Sequence, residues 1–206
     1  MIEANVRTLL GKFQLDAELN ASGVTCLMGR NGSGKTTLLR AIAGFLRVEE
    51  GFVKIGGVDV TRFPIESRGV VMVTPSSCFP HMNVDPHLIW GARLRKTSPS
   101  SEEVSRVKSE LGIDYGGPVR NLSLGMRERV ALATALLASP KAILVDDVFT
   151  SLHQREEVIA SYSRLVTERG IDLIFSCQDE TDGWLAAQMY RMDNGSISGP
   201  KRLEKA

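Results

Sequence analysis

The N-terminal third of the chain shows the alternating apolar and polar positions of half-buried strands. Residues 2–10 and 13–19 partly alternate around Gly11-Lys12, which predicts an antiparallel hairpin. Residues 52–60 predict a second strand pair that turns at two glycines. We therefore expect an antiparallel β subdomain near the N-terminus.

Other stretches are continuously apolar, a pattern typical of strands buried on both faces of a parallel sheet. These predicted strands are residues 23–28, 70–73, 142–145 and 172–175. Helical spacing of apolar residues separates them and predicts helices over residues 36–45, 123–138 and 151–168, and one that ends at Trp184. We expect Trp184 to pack in the core as part of an amphipathic helix. Repeated strand–helix units predict an α/β fold, a mostly parallel sheet flanked by helices.

The character of the chain changes between residues 74 and 122, where five of its eight prolines lie. Short helices are predicted after Asp85-Pro86 and after Ser100. We interpret residues 75–138 as a helical insertion in a single domain that covers residues 1–206. Asp193-Asn194-Gly195-Ser196 predicts a type I′ hairpin turn near the C-terminus.

Composition narrows the class of protein only slightly. The 206 residues are 43% hydrophobic and 24% charged, ordinary values for a globular domain. A formal net charge of +1 gives no general attraction to nucleic acid, so we expect no nucleic-acid partner. No apolar run reaches the ~18 residues of a membrane span, and Cys26, Cys78 and Cys177 form no metal-binding pair. We expect reduced thiols and a cytoplasmic location.

One motif carries specific chemistry. Gly29-Arg30-Asn31-Gly32-Ser33-Gly34-Lys35-Thr36 fits G-x-x-x-x-G-K-[ST], the P-loop, between a predicted strand and a predicted helix. Backbone N–H groups of such a loop and the helix N-terminus bind a polyphosphate. Lys35 would reach the β- and γ-phosphates, and the Thr36 hydroxyl would bind Mg²⁺. We therefore predict binding of a nucleoside triphosphate, with Thr37 adding to the phosphate contacts.

A second feature suits the same chemistry. The predicted strand 142–145 ends in Asp146-Asp147. A P-loop enzyme needs one acid to hold Mg²⁺ and another to orient the attacking water. We assign the first role to Asp146 and the second to Asp147.

The run Asn121-Leu122-Ser123-Leu124-Gly125-Met126-Arg127-Glu128-Arg129-Val130-Ala131-Leu132-Ala133 resembles the signature L-S-G-G-Q-x-x-R-V-A-L-A of ABC-type ATPases. Ser123 lies 23 residues before Asp146, the usual interval in that family. The resemblance implies that Ser123 and Gly125 contact ATP held by the P-loop of an opposing subunit. Leu10-Gly11-Lys12-Phe13 in a short hairpin is most similar to molybdate and tungstate importer ATPases.

The chain departs from this family at several positions. Thr74 replaces the glutamine that links Mg²⁺ to the membrane partner, and Gln178 replaces the switch histidine that senses the γ-phosphate. Asp147 replaces the catalytic glutamate and is one methylene shorter, while Leu124 replaces a glycine. The family's adenine-stacking aromatic aligns with Leu10. A misplacement near 1 Å costs about a hundredfold in a positioned reaction, so we expect slow hydrolysis.

The resemblance implies the ATP-binding subunit of an ABC transporter. It would bind ATP and Mg²⁺, pair with a second cassette as a homodimer or heterodimer, and act on membrane permease subunits from the cytoplasmic face of the membrane. The expected nucleotide-binding residues are Gly29, Arg30, Asn31, Gly32, Ser33, Gly34, Lys35, Thr36, Thr37, Ser123 and Gly125. The expected catalytic residues are Lys35, Asp147 and Gln178, and the expected metal ligands are Thr36, Thr74 and Asp146.

Two alternatives stay open at the level of sequence. The altered positions would also suit a degenerate, non-hydrolysing cassette that acts as a nucleotide-dependent scaffold beside a competent partner. A soluble ABC ATPase of DNA repair or translation is the other alternative, although two cassettes or a long coiled-coil insertion would be usual there. The transported substrate and the direction of transport are open as well.

Overall fold

The computed structural model describes residues 1–202, so the last four residues of the predicted 1–206 domain lie outside the described part. The strands are β1 (Ile2–Leu10), β2 (Phe13–Ala21), β3 (Val24–Met28), β4 (Glu50–Ile55), β5 (Val58–Asp59), β6 (Val70–Val73), β7 (Ala142–Val145), β8 (Asp172–Cys177), β9 (Gln188–Asp193) and β10 (Ser196–Arg202). The helices are α1 (Lys35–Ala43), α2 (Val84–Leu94), α3 (Ser101–Glu110), α4 (Leu124–Leu137), α5 (Arg155–Glu168) and α6 (Glu180–Gly183).

The strands form one mixed sheet in the order β5-β4-β1-β2-β10-β9-β3-β8-β7-β6. Neighbouring strands from β6 to β9 in this order run parallel. The pairs of β1 with β2 and with β4 are antiparallel, as the alternating N-terminal pattern predicts. The α/β fold with an antiparallel N-terminal part is confirmed, and β10 joins the two parts into a continuous sheet.

The parallel strands are buried on both faces, which explains their continuous apolar sequences. Along β7, Ile143 contributes to the core on one face and Leu144 to the core on the other. Helix α1 packs on the second face together with β1 and β2. Helices α4 and α5 cover the first face, and α2 and α3 pack against α4. The carboxyl ends of β3, β7 and β8 therefore meet at one edge of the sheet, beside the start of α1.

Two local predictions are wrong. The helix expected from Ser151 begins at Arg155, because Phe149–Ser151 form a separate 3₁₀ turn. Trp184 was expected in a helical core, but 67% of it is exposed. Helix α6 has only four residues, its buried residues are Asp182 and Gly183, and Trp184 follows as the C-cap.

The structure has no disulfide among Cys26, Cys78 and Cys177. Cys26 and Cys177 are far apart in sequence, but their Sγ atoms lie 2.6 Å apart in the buried core between β3 and β8. Within residues 1–202, no helix is both long and apolar enough to cross a bilayer.

Candidate functional site

The P-loop joins the end of β3 to the first turn of α1. Two of its glycines cannot be replaced without a clash, because a Cβ atom would lie too close to neighbouring atoms, and one of them also has a positive φ. A Cβ atom on Gly29 would lie 2.6 Å from the Met192 carbonyl oxygen. Gly34 has φ 110°, and a Cβ there would lie 2.9 Å from the Phe13 ring. The loop is thus held closely against the β2 and β9 strands.

The interior of the loop offers unsatisfied and cationic groups. The Ser33 hydroxyl is buried and has no hydrogen-bond partner among the described residues. Lys35 is buried as well, and its Nζ donates to the carbonyl oxygens of Gly29 (2.8 Å) and Arg30 (3.1 Å). An orphaned donor, an ammonium group and a helix N-terminus around one loop fit a polyphosphate.

An open cavity of about 300 Å³ lies over the loop. Its lining combines P-loop residues with two apolar side chains of the β1–β2 hairpin and one acid: Leu10, Phe13, Asn31, Gly32, Gly34, Lys35, Thr36, Thr37 and Asp147. The predicted phosphate ligands and the predicted general base therefore share one cavity. Phe13 lines the cavity beside Leu10.

The two carboxylates at the end of β7 are connected by hydroxyl groups. The Thr36 hydroxyl donates to Asp146 Oδ1 at 3.1 Å. The Ser176 hydroxyl lies 3.3 Å from Asp146 Oδ1 and 3.3 Å from Asp147 Oδ1. It also accepts from the backbone N–H of Asp147 at 2.8 Å. These contacts place both acids next to the first turn of α1.

Burial raises the pKa of the Asp146 carboxyl, while the hydrogen bond from Thr36 acts in the opposite direction. Asp147 adds to the rise because a second negative charge lies nearby. A cation between Thr36 and Asp146 would relieve both effects.

This donor set fits Mg²⁺. Among residues 1–202 no group of three or more His, Cys, Asp or Glu side chains could hold a metal alone. Mg²⁺ is commonly held by one or two protein oxygens together with substrate phosphates and water. Thr36 and Asp146 supply such oxygens at the edge of the phosphate cavity.

Other predicted site residues lie outside this cavity. The Thr74 hydroxyl lies 3.1 Å from the hydroxyls of Ser76 and Ser77 and does not line the cavity. Gln178 borders a neighbouring cavity of about 520 Å³ together with Gly29 and Arg30. Gln178 therefore does not share the P-loop cavity that Asp147 lines.

Ser123 and Gly125 are also separate from the P-loop cavity. Ser123 is the N-cap of α4, where its hydroxyl accepts from the Met126 N–H at 3.3 Å. The residue between them, Leu124, is 44% exposed. None of these three residues lines the P-loop cavity, so a role in binding the nucleotide held there would need a second molecule.

Sequence reasoning missed two contributors to the site. Ser176 lies in an apolar strand, and only its position just before Cys177-Gln178 could have drawn attention to it. The turn at Asn194-Gly195 was predicted, but its contact was not: the Gly195 N–H donates to the Ser33 carbonyl oxygen at 2.9 Å.

Fold and site together define a P-loop nucleotide-binding domain. A family model described as ABC transporter matches residues 13–150. The chain belongs to the ABC transporter family of ATP-binding domains, as its signature run indicated.

Relatives and solved structures agree with this assignment. Molybdenum import ATP-binding protein ModC 2 of Azotobacter vinelandii is 37% identical over 97% of this chain and 59% of its own length. The putative 2-aminoethylphosphonate import ATP-binding protein PhnT of Salmonella typhimurium (strain LT2) is 33% identical over 89% of this chain and 52% of its own. The chain thus spans little more than half the length of these curated relatives.

Among solved structures, the dimeric ATP-binding cassette MJ0796 bound to ADP and Pi superposes with a TM-score of 0.82. The match covers all of both chains at 20% identity, so it supports the fold. A nucleotide-free ATP-binding cassette from an ABC transporter gives a TM-score of 0.79 at 25% identity, covering 98% of this chain and 91% of that one.

Proposed function

We propose that this chain is the ATP-binding subunit of an ABC importer, which binds MgATP and couples slow hydrolysis to solute transport through separate membrane subunits. The observation that carries the proposal is the shared cavity of Lys35, Thr36 and Asp147, with Asp146 bonded to Thr36 at its edge. Several relatives are named import ATP-binding proteins, which supports the direction of transport.

Each residue of the site has a task in this proposal. Lys35 Nζ would exchange its two loop carbonyls for phosphate oxygens, and the loop N–H groups would hold the remaining phosphate charge. Thr36 and Asp146 would hold Mg²⁺, which neutralises phosphate charge when bound. Asp147 would accept a hydrogen bond from the attacking water.

The rest of the assembly would come from other molecules. Gln178 would hydrogen-bond the γ-phosphate without supplying a charge. Ser123 and Gly125 would complete the site of a second cassette. The resulting dimer would be peripheral on the cytoplasmic face of the membrane, bound to permease subunits.

An apolar groove of about 540 Å³ between β6, α2 and α4 offers a surface for a permease. Four large apolar side chains at its rim are at least 40% exposed: Phe45, Ile65, Phe79 and Leu94. Exposed apolar patches of this kind mark interaction sites, and a groove between helices suits a short amphipathic helix. We assign this groove to a cytoplasmic helix of the permease.

Copurification with a candidate permease tests the assignment. Leu94→Glu in the groove should abolish copurification, because a charge would be buried at the contact. Leu9→Glu is the matched control, since Leu9 is similarly exposed (57% against 64%) but lies in the β1–β2 hairpin. Equal recovery of the permease with both variants would exclude the groove.

Nucleotide binding and turnover test the enzymatic part. Lys35→Ala should weaken ATP binding by roughly tenfold or more, because charged hydrogen bonds to phosphate are lost. Lys201→Ala, an exposed lysine on β10, should bind normally. Asp147→Asn should leave binding intact and reduce turnover to a low residual rate. Steady turnover that is the same in wild type and Asp147→Asn would refute the role of Asp147.

A non-hydrolysing scaffold is the second candidate function. It is favoured by the position of Thr74 outside the phosphate cavity and by exposed Leu124 at the start of α4. Tight MgATP binding by wild type with no turnover, either alone or with its permease, would decide for the scaffold.

A further inference from the structure

Ser176 is the polar group that contacts both acids of the proposed site. It lies on β8 directly beside the end of β7, because Val145 is paired with Phe175 in the parallel register. Only 1% of the residue is exposed, so solvent cannot replace its hydrogen bonds. Its oxygen accepts from the Asp147 N–H at 2.8 Å, the shortest of its contacts.

The number of protons limits what this hydroxyl can do. A serine hydroxyl has one proton to donate, while Asp146 Oδ1 and Asp147 Oδ1 both lie 3.3 Å away. The two carboxylates therefore compete for one donor. Removing the hydroxyl would affect the placement of both at once.

The backbone at Asp147 gives a second reason for the contact. Asp147 has φ 53°, in the left-handed region that non-glycine residues seldom occupy. The hydrogen bond from its N–H to Ser176, with that from Thr150 Oγ1 to its carbonyl oxygen (2.9 Å), holds this conformation. The direction of the short Asp147 side chain depends on the same conformation.

We infer that Ser176 is a positioning residue that holds Asp146 and Asp147 in register with the P-loop. The inference deepens the proposed function and rests on it. Loss of a partner that orients metal ligands and catalytic carboxylates typically costs about 10–100-fold in metal affinity or activity. We expect Ser176 to act on both quantities, through Asp146 on the metal and through Asp147 on turnover.

The first test measures Mg²⁺ dependence without requiring hydrolysis. The full chain is titrated with Mg²⁺ at saturating ATP, and the midpoint of its thermal stabilisation is compared among variants. Ser176→Ala should raise the midpoint about tenfold. Ser176→Thr keeps the hydroxyl and should stay near wild type. Ser163→Ala is the matched control, a buried serine whose hydroxyl has no described partner.

An unchanged midpoint in Ser176→Ala overturns the inference, and so does an equal shift in Ser163→Ala. Ser176→Cys, which keeps the volume but is a weak donor, replaces Ser176→Ala if that variant does not fold. Because this readout needs only binding, a wild type without turnover would refute hydrolysis and leave the test of Ser176 intact.

The second test is a double-mutant cycle with Asp147. At saturating Mg²⁺ and in the wild-type background, Ser176→Ala should lower kcat by about tenfold with KM for ATP within about twofold. In the Asp147→Asn background, Ser176→Ala should lower the residual rate no further. Both changes act on the same feature, the placed carboxylate of Asp147, so their effects should not add. An equal fold-loss in both backgrounds would show a general structural effect and overturn the inference.

Discussion

His87 is a buried histidine whose protonation state is fixed by its neighbours. Its Nε2 accepts from the Phe79 N–H at 3.1 Å, and its Nδ1 lies 2.8 Å from the Thr134 hydroxyl. Because Nε2 is an acceptor, the proton sits on Nδ1 and is donated to Thr134. Burial lowers the pKa of this imidazole below its ordinary value of 6.5.

This histidine should make stability depend on pH. Above pH 6.5 the imidazole is neutral in both states, so it has no effect. Below pH 6.5 the unfolded chain binds a proton that the folded chain does not, so the free energy of unfolding falls by up to about 1.4 kcal/mol per pH unit. Urea unfolding at pH 5.5 and 7.5 measures the loss.

His87→Gln should reduce that loss, since an amide can make both hydrogen bonds without titrating. His81→Gln changes an exposed histidine and should leave the pH dependence as in wild type. A His87→Gln protein with the full wild-type loss would show that other groups cause it.

At the scale of elements, the β9–β10 turn supports the P-loop. Asn194 and Gly195 have φ 44° and 82°, the positive angles that the Asn-Gly pair predicts. The contact of Gly195 with Ser33 could not be predicted, because no local pattern joins segments so far apart in sequence. Sequence thus specified the turn and its type, while packing decided what the turn touches.

Gly195→Ala should destabilise the fold more than an ordinary glycine substitution. Its Cβ would lie 1.9 Å from the Gln14 carbonyl oxygen, and its φ would be strained as well. Gly56→Ala is the control, with φ 57° but no atom within 4 Å of the added Cβ. We expect a loss of about 1 kcal/mol for Gly56→Ala and at least about 3 kcal/mol for Gly195→Ala in chemical denaturation. Equal losses for the two variants would mean that the strained φ alone, and not the clash with Gln14, causes the destabilisation.

Arg68 stabilises the C-terminal end of α1, the helix that follows the P-loop. It is buried, and its Nη1 donates to the carbonyl oxygens of Ala41 (3.1 Å) and Ile42 (3.0 Å) at the end of α1. Its other nitrogens donate to Thr61 and Phe63, so one side chain joins α1 to the loop after β5. Desolvation lowers the pKa of the guanidinium, and the group stays charged near neutral pH.

Arg68→Lys should cost roughly 2–4 kcal/mol of unfolding free energy, because an ammonium cannot reproduce the planar fork and leaves buried carbonyls unpaired. Arg62→Lys alters an exposed arginine in the same loop and should cost less than about 0.5 kcal/mol. Unfolding of both variants in guanidinium chloride measures these losses in the free energy of unfolding. A loss below 1 kcal/mol for Arg68→Lys would show that a point charge suffices.

At the scale of the whole molecule, the pattern of apolar and polar positions predicted most of the fold but only part of the candidate site. Continuous apolar runs predicted the parallel strands because those strands are buried on both faces. The prediction that Trp184 is buried was wrong, since apolar spacing predicts a buried position only within a helix of several turns. The role of Ser176 could not be predicted, because the contacts of a small polar residue in a buried strand depend on which strand lies beside it.

The separation of Ser123 from the P-loop leads to a prediction about two molecules. If ATP is held between the P-loop of one copy and the Ser123 helix of another, Lys35→Ala and Ser123→Arg should each abolish turnover alone. A dimer with one copy of each retains one intact site, formed by Lys35 of the second variant and Ser123 of the first.

Mixing the two inactive variants in equal amounts should therefore restore turnover to about a quarter of wild type, since half the dimers are mixed and half of their sites are intact. A mixture of Lys35→Ala with Lys35→Ala/Ser123→Arg should stay inactive, because no dimer then contains a functional P-loop. If both residues served a site within one chain, the first mixture would also be inactive. Restored turnover would identify a composite site formed by two copies of the chain.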